Sequence, residues 1–494
     1  MSDLVQQHIS RDTPWWQPVL FTAMAGGMAW GIRGQYGHET GAMIAGSLVS
    51  LTLALLLCPH GSSLSLARAI AWGTLGMGIG GSMTYGQTVG LTHDGPLVGN
   101  WEAFRWGMLG LAVKGGIYIS FGGLLLGMGL SAVRYRPLEM LLLMLAALGM
   151  HFLGLYLLNS PFDPANKVLP TIYFSDDWYF EPEGGFKPRF ECWGGYLLAL
   201  TTMIVYAGWY RQDHLARNLA LWGLLGGALG FPGGQCFQAY NAWNDGGLAG
   251  TIWSRLAMNS WNMMEVIFGT IMGAVLGWGA WRNRRLMQPA SIEDEQRFPF
   301  GIELALLAVH LPMLIAVEFV AIEYVDALYD LGLIMVLIPI VAIAGGRWWP
   351  FWQVLPLTML PIAGKTIRAL VPNNADANVA IGAISYGVIP VAVGVALAMW
   401  AGQDSRRKHD GHAFVRWSLL VSTWTYFSLN FAFWGYPWPW KDSAGPFSRG
   451  LVYSFSIVGL TILVCMSGNR TRRAMAKMVK LTMKLLGKIK SGVC

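Results

Sequence analysis

Apolar stretches long enough to cross a bilayer recur along this chain from residue 17 to residue 467, with almost no soluble sequence between them. A hydrocarbon core of ~30 Å takes about 20 apolar residues of helix, because lipid offers no partner to an unpaired peptide group. Charged residues are only 12% of the chain and the mean hydropathy is +0.44, which excludes an ordinary soluble domain. Runs of the required length, bounded by charge or turn residues, fall at 16–33, 39–58, 67–91, 105–133, 137–159, 192–210, 215–239, 256–281, 299–322, 327–346, 349–370, 377–401, 414–435 and 447–467. The expected fold is therefore all-α: a polytopic integral membrane protein of about 14 (12–14) transmembrane helices, a pair or two of them re-entrant or broken.

Lys and Arg test that map independently, since cytoplasmic loops carry their excess. Arg134 and Arg136, Arg211 and Arg217, Arg282, Arg284 and Arg285, then Arg406, Arg407 and Lys408 fall in every second loop, and the tail from Arg470 to Lys490 joins them. Alternate loops are acidic, with Asp163, Asp176, Asp177, Glu181, Glu183 and Glu191 in one and Glu323, Asp326 and Asp330 in another. Both termini are expected in the cytoplasm, and the expected location is a bacterial inner (plasma) membrane. Met1 to Trp16 has no basic leader with a small-residue cleavage site, so the first span reads as a retained anchor.

Four blocks result: residues 1–285 as an N-terminal transmembrane half, 286–297 as a cytoplasmic linker, 298–467 as a C-terminal transmembrane half, and 468–494 as a basic amphipathic tail. In the tail Lys477, Lys480, Lys484 and Lys488 recur at helical spacing opposite Met478, Leu481, Leu485 and Ile489, as in a helix lying on anionic lipid. Membrane lipids are thus expected partners. The net charge of +7 comes largely from this tail and requires no nucleic acid. Cys58, Cys192, Cys236, Cys465 and Cys494 have no metal spacing, and no cofactor motif occurs.

The N-terminal half contains an internal repeat. Leu66-Ala67-Arg68 opens a Gly-rich span that reaches Tyr85-Gly86-Gln87, turns, and returns to end at Leu126-Gly127-Met128-Gly129. Leu215-Ala216-Arg217 opens another that reaches Gly234-Gln235, turns, and returns to Leu276-Gly277-Trp278-Gly279. The hairpins 66–129 and 215–279 are expected to be parallel repeats, with Tyr36-Gly37-His38-Glu39 hinting at a third copy in the first hairpin. Most of the 62 glycines read as close helix contacts of the small-xxx-small kind.

Packing does not explain the polar residues at the outer ends of these hairpins. Arg33, Gln87, Gln235, Asn241, Trp261 and Asn262 combine amides, a guanidinium and an aromatic ring, a set that suits a polyhydroxylated or amide-bearing solute, the ring stacking on apolar faces while Asn, Gln and Arg pair with hydroxyl or carboxylate groups. Deeper lie Lys114, His151, Glu265, His310, Glu318 and Lys365, each costly in lipid unless it pairs or faces a cavity. Lys114 and Glu265 hold nearly equivalent repeat positions, as an ion pair across the axis or as grips on the two ends of a zwitterion. Both are assigned to substrate binding with the six outer residues. His310 and Glu318, eight residues apart on one helix face, are assigned with Lys365 to ion coupling.

Two function classes stay open, beside a third reading as a non-catalytic scaffold or subunit of a larger membrane complex. One is an ion-coupled secondary transporter of a small polar, anionic solute, binding between the hairpins and open to the outside. Without a Gly-x-x-x-x-Gly-Lys-Ser/Thr run, ATP-driven transport by this chain is not expected. The other is a membrane-embedded transferase acting at the outer face on a lipid-linked or glycan substrate, resting on His38-Glu39, His93-Asp94, Glu102 and the loop from Asn159 to Glu191.

Overall fold

Glycine at helix crossings decides the architecture. The computed structural model describes residues 13–37, 39–83, 85–175, 180, 188–251, 259–288, 298–319, 322–330, 332–373, 378–404, 411–435 and 452–468. These are helical, with no strand among the described residues. Six helices from the N-terminal half form its centre: α1 (Trp16–Arg33), α2 (Glu39–Leu57), α3 (Ser63–Gly81), α5 (Trp101–Leu130), α8 (His214–Trp243) and α9 (Ser260–Arg282), with the short α4 (Gly86–His93) between α3 and α5. α1 packs on α2, α2 on α3, α3 on α5, α5 on α8, α8 on α9, and α9 back on α1. The chain thus closes a ring from three hairpins in cyclic order.

Every seam of the ring brings a glycine against backbone. Gly41 meets Arg33, Gly46 meets Gly73, Gly80 meets Tyr118, Gly115 meets Gly227, Gly234 meets Met264, and Gly269 meets Gly26, so that an added Cβ would strike main-chain atoms at each. Apolar side chains gain nothing by leaving lipid for a protein interior that is equally apolar, so close backbone approach supplies the packing energy here. Local signals start the ring helices. Side chains of Ser62, Asn100, Asp213 and Asn259 cap α3, α5, α8 and α9 by accepting from backbone N–H groups two or three residues on.

Around the ring lie α6 (Pro137–Leu158) and α7 (Trp193–Val205), an antiparallel pair. The C-terminal half supplies α10 (Phe300–Phe319), α11 (Glu323–Asp330), α12 (Ile338–Gly345), α13 (Trp349–Val354), α14 (Pro356–Asn373), α15 (Val379–Ala383), α16 (Ile389–Asp404), α17 (Gly411–Gly435) and α18 (Val452–Gly468). α13, α14 and α17 cover α2 and α3. The halves are stitched by Arg68, whose Nη2 donates to the Gly346 carbonyl at 2.7 Å. Beside it the buried Glu303 carboxylate accepts from the backbone N–H groups of Arg347, Trp348 and Trp349 at 2.8–2.9 Å, at the positive end of α13.

Among the described residues six helices are long and apolar enough to cross a membrane: Glu39–Leu57, Trp101–Leu130, Pro137–Leu158, Ser260–Arg282, Phe300–Phe319 and Val379–Gln403; a seventh results if Glu323–Asp330 and Leu333–Gly345 make one broken span. The chain is a helical integral membrane protein. Each of the fourteen stretches marked in the sequence carries helix, but several are interrupted. The stretch 67–91 breaks between Gly81 and Gly86, 327–346 at Gly332 with φ +71°, and 349–370 ahead of Pro356. Residues 289–297 of the linker, 469–494 of the tail, His38, Asp176, Asp177, Glu181 and Glu183 lie outside the described residues.

Candidate functional site

One end of the ring gathers the C-termini of α1 and α3, the start of α4 and the start of α9. There a cavity of about 420 Å³ opens, lined by Arg33, Gln35, Tyr85, Asn262 and Glu265 among others. Arg33 ends α1 and is buried. Its guanidinium donates to the Tyr85 hydroxyl, and its carbon lies 4.8 Å from the Tyr85 ring centroid and 5.6 Å from that of Trp30. Two aromatic faces therefore replace part of the water that Arg33 gives up. Tyr85 in turn donates to Glu265 Oε1 at 3.1 Å, and Arg33 Nη1 stands 3.8 Å from the same oxygen. The Asn262 amide reaches Glu265 Oε2 at 3.5 Å.

This triad sits on an aromatic floor. Trp30 and Phe268 lie one helical turn deeper than Arg33 and Glu265, with ring centroids 4.6 Å apart; Phe231 stacks on Phe268 at 4.6 Å, and Tyr85 closes on Phe231 at 4.9 Å. All are buried. The cavity is thus lined by polar and charged groups above an aromatic layer. Gly34 is what lets α1 come so near, since a Cβ there would strike the Glu265 carboxylate.

Four of the eight residues assigned to substrate binding line the cavity: Arg33, Trp261, Asn262 and Glu265. The other four are elsewhere. Gln87, half-buried, follows the lining residue Gly86. Gln235 is buried and donates to Thr92 Oγ1 at 2.6 Å, and Asn241 accepts from the Leu248 backbone at 3.4 Å in the turn after α8. Lys114 is not at the cavity, and the expected ion pair with Glu265 does not form. Its Nζ donates instead to Glu191 Oε1 at 2.5 Å, Ser175 Oγ at 2.7 Å and Thr88 Oγ1 at 2.8 Å. The two positions face different neighbours: Lys114 meets Ser175 and Glu191 of the loop between α6 and α7, whereas Glu265 meets Arg33 and Tyr85.

Of the coupling set, Lys365 on α14 donates to the Tyr36 carbonyl and to Thr40 Oγ1, both at 2.7 Å, and so holds the α1–α2 turn that bears Gln35 and Gly37. Glu318 pairs with Arg368 at 2.8 Å. His310 stands apart, buried 5.4 Å from the Trp349 ring. Of the described groups behind the transferase reading, Glu39 accepts from Tyr329 at 3.0 Å, His93 stands 3.7 Å from Asp94 and 2.9 Å from the Val89 carbonyl against the Trp261 ring, and Glu102 is exposed. Tyr85, Arg189 and Asn259 line the cavity without having been singled out from the sequence. The signals that mark them in the sequence are slight: Tyr85-Gly86 resembles Tyr36-Gly37, and Arg189 is the one Arg of the acidic loop 159–191.

No protein-family model, no curated protein and no solved structure matches the chain.

Proposed function

We propose that the chain is an ion-coupled secondary transporter of a small polar, anionic solute, an acidic sugar or other carboxylate, bound in the Arg33 cavity. The observation that carries the reading is the Arg33–Tyr85–Glu265 triad, an ionisable pair kept buried beside a polar cavity at one end of the α1–α9 seam. A purely structural pair is often no better than an apolar one, so its retention where a solute can reach it favours a binding role. The aromatic floor beneath separates this cavity from the rest of the ring, as one closed gate of an alternating-access cycle would.

The charge pattern of the loops favours this end of the ring outside and both termini in the cytoplasm of a bacterial inner membrane. Three hairpins in cyclic order are what parallel triplication of one hairpin produces, and a helix in each of the fourteen apolar stretches favours fourteen crossings. Coupling is assigned to Lys365 and Glu318, because Lys365 touches the turn that lines the cavity; His310 is left to the core.

Uptake of labelled D-gluconate and D-glucuronate by proteoliposomes tests this. Wild-type protein is expected to exceed empty vesicles, with Arg33→Gln and Glu265→Gln each reduced at least tenfold. Full uptake by both variants would remove the site. No uptake by wild type, together with an altered lipid or glycan profile in cells lacking the protein, would overturn transport in favour of a transferase.

A further inference from the structure

The outer loop after α6 returns to α7 through residues 188–192, and in doing so carries Arg189 to the rim of the cavity. The Arg189 guanidinium lies over Gly86, where an added Cβ would be 3.6 Å from Nη1. Arg33 already faces Glu265, so among the described lining residues Arg189 is the cation with no carboxylate opposite it. Asn262 and Gln35 line the same space, and their side-chain oxygens, Oδ1 and Oε1, are buried with no hydrogen-bond partner among the described residues; Asn262 is 5% exposed. An unpaired buried carbonyl oxygen costs about 1–3 kcal/mol, a cost removed by a ligand that donates to it.

Arg189 is held where it is. Two residues away, Glu191 takes the Lys114 ammonium at 2.5 Å, accepts from the Ser175 hydroxyl, and accepts the Phe174 backbone N–H at 2.8 Å. The Tyr173 hydroxyl donates to the Arg189 carbonyl at 2.6 Å, and Trp106 of α5 donates to the Tyr173 carbonyl at 2.7 Å. A fully buried ion pair thus anchors both strands of the loop to one ring helix. The Lys114 charge serves the cavity at one remove.

Resting on the transport reading, we propose that the solute is a small hydroxylated carboxylic acid whose carboxylate is taken by Arg189 and whose hydroxyls donate to Asn262 and Gln35, with the Lys114–Glu191 clasp positioning Arg189. A guanidinium fork binds a carboxylate through two parallel hydrogen bonds, which an uncharged polyol cannot accept in the same way.

Binding to the full-length protein in detergent tests this without requiring translocation, using D-gluconate and D-glucuronate against the uncharged D-glucitol and D-glucose. Wild type is expected to bind the acids at least tenfold more tightly. Arg189→Gln is expected to erase that preference while leaving polyol binding within twofold. The double variant Lys114→Met/Glu191→Met keeps the seam filled without charge and is expected to weaken acid binding selectively, with a normal melting profile. An unchanged acid-to-polyol ratio in Arg189→Gln overturns the proposal. Wild type that binds none of the four overturns it as well, and uptake of an unrelated solute would then leave the transport reading standing. Acid binding without uptake would instead uphold this inference and sink transport.

Discussion

Arg33 shows how much a single side chain can organise. It reaches a hydroxyl, a carboxylate and two aromatic rings from the last residue of a helix, and a lysine ammonium has neither the plane nor the fork to replace it. Arg33, Asn262 and Glu265 stand out in the sequence because charge and amide groups at membrane depth are expensive. Tyr85 does not, because a chain with 17 Tyr and 24 Trp offers too many aromatics to choose from. Lys114 stands out equally, but its partner Glu191 is 77 residues away on a loop whose path no periodicity encodes. That pairing yields a prediction. Removing one member strands a buried charge, so Lys114→Met or Glu191→Met alone should cost roughly 3–5 kcal/mol, and the double variant should recover most of it. Thermal unfolding in detergent checks this; equal destabilisation by single and double variants would show that the pair is not a unit.

At the scale of helices, glycine placement was the legible part. Seams such as Gly115 against Gly227 are the close contacts that the glycine content announces. Gly227→Leu should force α5 from α8 and abolish a monodisperse, folded protein, since backbone cannot give way as a flexible side chain does. Overpacking a yielding site costs about 1–3 kcal/mol, and this site should exceed that. Gly149 and Gly301, where a Cβ meets nothing within 4 Å, are the controls, and leucine at either should leave purification and melting unchanged. Helix breaks were less legible. The interruption between Gly81 and Gly86 lies inside one apolar stretch, and only tertiary contacts use it, by turning Tyr85 over the ring.

For the molecule as a whole, hydropathy read the solvent and missed the partition within it. Ring helices α1 and α3 exchange apolar side chains for glycine and polar groups because protein surrounds most of their length, whereas α8, α6 and α10 keep apolar faces exposed. Among the described residues the helices long and apolar enough to span number six or seven, three of them in the ring, although each of the fourteen stretches carries helix. The three-hairpin ring explains why the cavity sits at one end and why its walls come from distant parts of the sequence. Ring closure by α9 against α1 joins Glu265 to Arg33.

The central claim is that this end of the ring is an outward-facing, water-filled binding cavity. The most direct measurement places a single cysteine at Trp261, in a background lacking the native thiols, and labels intact cells with a membrane-impermeant maleimide. The account predicts rapid labelling from outside, slowed by D-gluconate. Labelling that requires access from the cytoplasm, or no reaction until the protein is denatured, would contradict it.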